Sequence, residues 1–120
     1  MTDRAAVEAW VRRYVEAWRS NDPAEIGDLF TQEAEYFTAP YREPWRGREA
    51  IVRGWQGRPE PPDTWTFQFE VAGVDGDTGF VRGRTDYTTG EGTFANLWLI
   101  RLDDEGRAFE FVEWWMRAED

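Results

Sequence analysis

The chain has 120 residues and a mass of 14.1 kDa, which suffices for one domain but not for two hydrophobic cores. It contains neither cysteine nor histidine, and all 14 basic residues are arginine, so lysine is absent too. These absences exclude disulfides, thiolate and lysine nucleophiles, and histidine bases or metal ligands. Any catalysis would therefore rely on Asp, Glu, Tyr, Arg, a hydroxyl group or bound water, and we expect no metal or other cofactor.

The charge balance is strongly acidic, with 24 Asp and Glu residues against 14 arginines and a formal charge of -10. Such a charge repels phosphate backbones and anionic lipids, so we expect neither a nucleic-acid nor a membrane partner. No apolar run approaches the roughly 20 residues that span a bilayer. Residues 1–10 lack the order of a secretory signal. Together with the missing cysteines, these features favour a cytoplasmic location.

The N-terminal half is predicted to be helical, because its apolar residues recur at spacings of three and four. The first helix is predicted over residues 3–20. A second begins at Pro23 with Asp22 as its N-cap. A brief extended segment is expected at 33–38, and a third helix over 47–56.

The apolar period changes to two from residue 65 onward, which predicts strands. The strands are predicted at about 65–71, 80–89, 93–102 and 108–117. Three helices followed by a four-stranded antiparallel meander predict one segregated α+β domain over residues 1–120. The 8 Trp, 8 Phe and 4 Tyr of this domain can fill the core, line an apolar pocket or cover a subunit interface.

The order of these elements and several short motifs resemble one known family. The motifs are Asn21-Asp22-Pro23, the segment 44–51 (PWRGREAI), the segment 101–107 (RLDDEGR) and the late Glu113-Trp114-Trp115. Together they resemble the SnoaL-like members of the nuclear-transport-factor-2-like superfamily. The resemblance implies a cone-shaped α+β barrel, in which three N-terminal helices pack on a curved antiparallel sheet around an internal pocket. It also implies dimerisation through the outer face of the sheet.

Members of this superfamily include polyketide cyclases, ketosteroid isomerases, limonene epoxide hydrolases and non-catalytic binding modules, so the fold does not fix the function. The resemblance to the isomerases places Tyr14 where they have an oxyanion-hole tyrosine. It places Thr38 at their general base and Trp98 at their second acid. Because neither Thr nor Trp has acid chemistry near pH 7, the resemblance disfavours isomerase activity of that kind.

The epoxide hydrolases are similar in a second pattern, an Arg-x-Asp on a middle strand with a further carboxylate on the last strand. Arg84, Asp86 and Glu113 match it in this sequence. Strand alternation, however, puts Gly83 and Thr85 on one face and Arg84 and Asp86 on the other. We expect the first face to line the pocket, so that Arg84 and Asp86 form a solvated or interface pair; in the alternative they act with Glu113.

Glu113 is the main catalytic candidate. Phe111, Glu113 and Trp115 share one strand face, which the resemblance places on the pocket side. An acid between two aromatic neighbours is expected to be partly desolvated, which raises its pKa. The alternative is an ion pair between Glu113 and an arginine at the mouth of the pocket.

Further ligand-binding candidates come from the neighbouring elements. Asn96 and Trp98 share the inner face of the third strand. Tyr36 and Tyr41 flank the loop where relatives place catalytic groups, and Trp45 is either a lid or a packing anchor. The residues predicted to be core packing are Trp10, Trp18 and Trp55.

Leu97 and Leu99 make the third strand apolar on its second face as well, which predicts a cover there and favours a homodimer. Two function classes follow from the sequence. The first is a cofactor-free acid-base enzyme of the cyclase, isomerase or hydrolase kind, acting on a small apolar molecule. The second is a non-catalytic ligand-binding or dimerisation module. A partner-binding adaptor would leave no trace in the sequence.

Overall fold

The structure is a computed structural model, and it describes residues 2–118. Within these residues, three α-helices and six β-strands follow one another, with one 3-10 turn at Pro62–Thr64. The elements are α1 (Arg4–Ser20), α2 (Pro23–Gly27), β1 (Phe30–Phe37), β2 (Trp45–Arg46), α3 (Arg48–Gln56), β3 (Trp65–Asp75), β4 (Thr78–Tyr87), β5 (Thr93–Leu102) and β6 (Ala108–Arg117).

The helices form where the periodicity and the capping residues predict them. Asp3 caps α1 by accepting a hydrogen bond from the Ala6 N–H, and Asn21 ends it in the left-handed conformation. Asp22 caps α2 through the N–H groups of Ala24 and Glu25, which confirms its predicted role. The buried stripe of α1 comprises Val7, Trp10, Val11, Tyr14 and Ala17.

The six strands form one mixed sheet in the order β2-β1-β6-β5-β4-β3. Strands β3 to β6 form the predicted antiparallel meander, but β1 pairs with β6 in parallel. The predicted α+β class, with three helices packed on a sheet, is confirmed. The sheet is mixed rather than antiparallel throughout, because the extended segment expected at 33–38 belongs to a longer strand that pairs in parallel with β6. The sheet is also open rather than closed into a barrel, since β2 and β3 are its two edges.

The inner face of the sheet is packed against the core at one end and is open at the other. At one end of the inner face, Ile100 and Phe111 pair across β5 and β6, and both are fully buried beneath α1. Gly79 lets α1 approach this end closely, since an added Cβ would lie 2.6 Å from a methyl group of Val7. The other end of the inner face, around the Trp98–Glu113 pair, is not filled by the core, and the candidate site lies there.

Candidate functional site

A pocket of about 440 Å³ lies at that open end, between the sheet, α1, α3 and the connector that follows α3. Its volume is in the range typical of small-molecule sites. Its buried lining residues are Tyr14, Tyr36, Trp55, Thr85, Asn96 and Trp98. The exposed side chains at its mouth are Arg42, Arg58, Pro59, Glu91 and Trp115.

The floor of the pocket is built from aromatic rings. The Tyr14 ring lies 4.5 Å from that of Trp98 and 4.7 Å from that of Trp55, measured between centroids. On the other side, Tyr36 stacks on Trp45 with a centroid distance of 5.0 Å. Rings fixed in this way offer a rigid apolar surface to a ligand at little entropic cost.

Glu113 lies on this floor with its two carboxylate oxygens in different environments. Its Oε2 accepts hydrogen bonds from Asn96 Nδ2 at 2.7 Å and from Trp98 Nε1 at 3.1 Å. Both donors are on β5, where Trp98 stands directly opposite Glu113 in the register. Among residues 2–118, no donor reaches Oε1, so this oxygen is free for a ligand.

Burial raises the pKa of Glu113 above its ordinary value, and the two hydrogen bonds from Trp98 and Asn96 oppose this shift. The nearby charge of Glu60 raises the pKa further. The alternative that Glu113 is paired with an arginine is not seen in residues 2–118, where its polar contacts are Asn96 and Trp98. Glu113 is thus a desolvated carboxyl group whose pKa lies above its ordinary value, which is a property of many acid-base groups.

A pair of tyrosines provides a second polar group in the floor. The hydroxyl oxygens of Tyr14 and Tyr36 are 2.8 Å apart and buried. Burial raises the pKa of both phenols, so both remain protonated. The two hydroxyl groups carry two protons, and the hydrogen bond between them uses one. The other proton is available to an acceptor on a ligand.

Glu60 is a pocket residue that the sequence analysis missed. Its Oε1 accepts a hydrogen bond from Trp18 Nε1 at 2.9 Å, and its main-chain oxygen accepts one from Trp65 Nε1 at 3.1 Å. The two indole rings stack at 3.7 Å. Burial raises the pKa of the neighbouring Tyr87, and a hydrogen bond to Glu60 adds to this shift. An acid set between prolines in residues 57–63 was the available signal, but it indicates only a turn.

Arg84 and Asp86 lie on the outer face of the sheet, away from the pocket. Arg84 Nε is 3.0 Å from Asp86 Oδ2, and Thr93 donates to Asp86 Oδ1 at 2.6 Å. The hydrogen bond from Thr93, followed by that from Arg84, lowers the pKa of Asp86. The alternative in which this pair acts together with Glu113 is therefore wrong, because strand alternation directs Arg84 and Asp86 to the opposite face.

Two other predicted ligand contacts are also placed outside the pocket. Tyr41 has a positive φ of 69° in the loop between β1 and β2, and its side chain is fully exposed, at 105%. Phe111 shares the inner face with Glu113 but is completely buried below the floor, where it stacks on Tyr36 at 4.6 Å. It supports the pocket but does not line it.

The remaining predicted contacts line the pocket: Tyr14, Tyr36, Trp45, Asn96, Trp98 and Trp115. Trp115 stands at the mouth and donates from Nε1 to the main-chain oxygen of Thr38 at 3.1 Å. Trp18 and Trp55, predicted as core residues, also reach the pocket, whereas Trp10 is fully buried. The structure therefore brings most of the predicted set around Glu113.

Comparison with known proteins identifies the family. The model of the SnoaL-like domain matches residues 11–120. The chain belongs to the SnoaL-like domain family. Among curated proteins, none matches this SnoaL-like sequence significantly.

Solved structures share the fold of this SnoaL-like chain. A protein from Kribbella flavida, for which ketosteroid isomerase activity has been proposed, is 20% identical with a TM-score of 0.75, over 100% of this chain and 84% of its own. An NTF-2 like protein of unknown function from Burkholderia xenovorans is 12% identical with a TM-score of 0.76, over 97% and 87%. An NTF2-like protein of unknown function from Mesorhizobium loti is 25% identical with a TM-score of 0.68, over 97% and 96%. These similarities show the NTF2-like fold.

Two further features of the SnoaL-like structure concern membranes and metals. None of the helices in residues 2–118 has the length and apolar character needed to cross a bilayer. In the same part of the chain, no three acidic side chains are grouped so that they could hold a metal ion.

Proposed function

We propose that this SnoaL-like protein binds a small, largely apolar molecule in the pocket and that Glu113 transfers a proton on it without a cofactor. The observation that carries the proposal is the free Oε1 of Glu113, held on an aromatic floor by two hydrogen bonds to Oε2. A carboxyl group with a raised pKa can take up a proton as a base and return it as an acid in the same site.

The tyrosine pair indicates what else the ligand carries. The spare hydroxyl proton of Tyr14 and Tyr36 needs an acceptor, which a carbonyl or developing enolate oxygen on the ligand would supply. Proton transfer beside a carbonyl, as in an isomerisation or a cyclisation, is the reaction class that this arrangement favours. Hydrolysis of the epoxide type is less supported, because Arg84 and Asp86 face away from the pocket.

The experiment compares two substitutions on the same strand. Small cyclic and aromatic ketones are first screened by quenching of tryptophan fluorescence, and the binders are then followed for turnover. We expect Glu113→Gln to lower kcat roughly 10²- to 10⁴-fold while the fluorescence titration still saturates. Glu110→Gln is the matched control, because Glu110 pairs with Arg101 on the outer face at 3.3 Å. Full turnover in Glu113→Gln would refute the catalytic role.

A non-catalytic binding module is the second candidate, and the position of Trp98 favours it. The indole N–H of Trp98 is committed to Glu113, and Thr38 at the pocket wall cannot act as a base. In that case, ligands bind with no turnover in the unmodified protein. Glu113→Gln then changes only the affinity.

The same proposal includes a homodimer and a cytoplasmic location. Leu97, Trp114 and Met116 expose apolar surface on the outer face of the sheet, where a second copy of the chain would cover it. The absence of cysteine suits a reducing compartment.

A further inference from the structure

A buried hydroxyl group next to the catalytic candidate has no role in the proposed reaction. Thr85 is only 2% exposed, and its Oγ1 donates to Asn96 Oδ1 at 2.9 Å. The Nδ2 of the same amide donates to Glu113 Oε2. Three side chains on three adjacent strands, β4, β5 and β6, thus form a directed chain of hydrogen bonds that ends on the carboxyl group.

We propose that Thr85 is a positioning residue: its hydroxyl fixes the Asn96 amide with the N–H₂ group toward Glu113, so that a proton on Glu113 resides on the pocket oxygen Oε1. This inference rests on the proposed function, because it matters for catalysis only if Glu113 exchanges that proton with a ligand. It adds a residue whose effect on Glu113 passes through Asn96.

The positions of the hydrogen-bond donors determine which carboxyl oxygen of Glu113 carries the proton. Oε2 faces two N–H groups, from Asn96 and Trp98, and neither can accept a hydrogen bond. A proton on Oε2 would point at one of these donors, whereas Oε1 has no donor against it in residues 2–118. The neutral acid therefore presents its O–H to the pocket, and the ionised base presents a free oxygen at the same place.

A buried amide held at one end by a hydroxyl has a strong orientational preference. If Thr85 loses its hydroxyl, Asn96 Oδ1 loses its partner, and an unsatisfied buried polar group is costly. The amide is then free to turn, and its oxygen can accept from a protonated Oε2. The proton would be trapped inside the network, and Glu113 would lose a donor to its ionised form.

Other titratable and charged groups face Glu113 from every side, and a substitution of Thr85 leaves all of them in place. They are Tyr14 from α1, Tyr36 from β1, Tyr87 from β4, Glu60 from the connector, and Arg42, Arg58 and Glu91 at the mouth. Comparing variants at position 85 therefore isolates the contribution of the hydrogen-bond chain.

The test is a pH titration of the ligand-free protein by NMR, read at the indole N–H of Trp98, which donates to Glu113. The signal is assigned by its loss in Trp98→Phe. In Thr85→Val we expect the titration midpoint to move to higher pH, because the ionised carboxylate loses the fixed Asn96 donor. Thr85→Ser keeps the hydroxyl and should restore the original midpoint. Thr93→Val is the matched control, since Thr93 donates to Asp86 on the outer face.

The outcomes separate this inference from the proposed function. An unchanged midpoint in folded Thr85→Val, or no recovery in Thr85→Ser, overturns the positioning role. If Thr85→Val does not fold, the same titration is read in the unmodified protein. The Asn96 side-chain N–H₂ resonances must then titrate with the same midpoint as the Trp98 indole. If they do not, the positioning role of Thr85 is overturned. No ligand is present, so an absence of turnover would refute the catalytic proposal and leave the titration result standing.

Discussion

At the scale of single residues, Glu113 couples the pocket to the stability of the fold. Burial, opposed by the hydrogen bonds from Trp98 and Asn96, raises its folded-state pKa above the ordinary 4.5. The folded protein therefore holds this proton more tightly than the unfolded chain does. The associated stability is fully present below about pH 4.5 and is lost as the pH rises through the folded pKa.

We therefore predict that Glu113→Gln becomes progressively more stable, relative to the unmodified protein, as the pH rises. The amide oxygen that this substitution introduces can still accept both hydrogen bonds, but the amide has no charge to desolvate. Each unit of pKa difference corresponds to about 1.4 kcal/mol. Urea unfolding at about pH 5 and about pH 8 measures the difference in the free energy of unfolding. A gap between the two proteins that is constant with pH would contradict a raised pKa.

Gly54 is a second residue on which the pocket depends. A Cβ atom at this position would lie 2.4 Å from the Trp45 ring, and Trp45 is the ring that stacks on Tyr36 in the pocket wall. Gly54→Ala must therefore displace Trp45. Overpacking of this kind costs about 1–3 kcal/mol, against a gain of about 1 kcal/mol for Ala over Gly within a helix.

We predict a net destabilisation of up to about 2 kcal/mol for Gly54→Ala, together with weaker binding of any pocket ligand. Urea unfolding and the fluorescence titration measure the two effects. Gly57→Ala is the control, because it lies at the end of the same helix and its nearest contact would be an ordinary 3.4 Å. If Gly54→Ala bound ligand as tightly as Gly57→Ala, Trp45 would not be part of the pocket wall.

At the scale of elements, the sequence predicted the features that depend on strand alternation or on contacts between residues close together in the chain. The alternation in β5 and β6 placed Asn96, Trp98 and Glu113 on one inner face, and the register brings these three together. The Asp22 cap was predictable for the same reason, because the cap bonds groups two and three residues away. Most of the site could thus be found from residue types and periodicity.

What the sequence could not predict depends on contacts between distant segments. The pairing of β1 with β6 joins Tyr36 to Phe111 across most of the chain, and no local pattern encodes it. The role of Glu60 depends on Trp18, 42 residues away, so the connector looked like a simple turn. Tyr41 was misplaced because the course of its loop, where its φ is 69°, leaves its side chain fully exposed, and no local pattern encodes that course.

At the scale of the whole molecule, the two faces of the sheet form two different surfaces, the pocket on one side and an exposed apolar surface on the other. Its inner face holds Glu113 and the pocket, while its outer face exposes Leu97 by 44%, Trp114 by 41% and Met116 by 66%. Leu97 and Trp114 are cross-strand partners, so the exposed groups form one continuous apolar patch. Ion pairs on the same face, such as Arg84 with Asp86, can form a polar rim around it.

We predict that two copies of the chain associate through this patch, giving twice the mass of 14.1 kDa in light scattering at micromolar concentration. Leu97→Glu should give the monomer mass, because a two-fold interface contains each substitution twice and brings the two charges together. Tyr41→Glu, at a fully exposed ring in the β1–β2 loop, is the matched control and should remain dimeric. A monomer mass for the unmodified protein would refute the interface. Because Leu97 leaves the sheet on the face opposite Glu113, the monomeric variant should still bind pocket ligands.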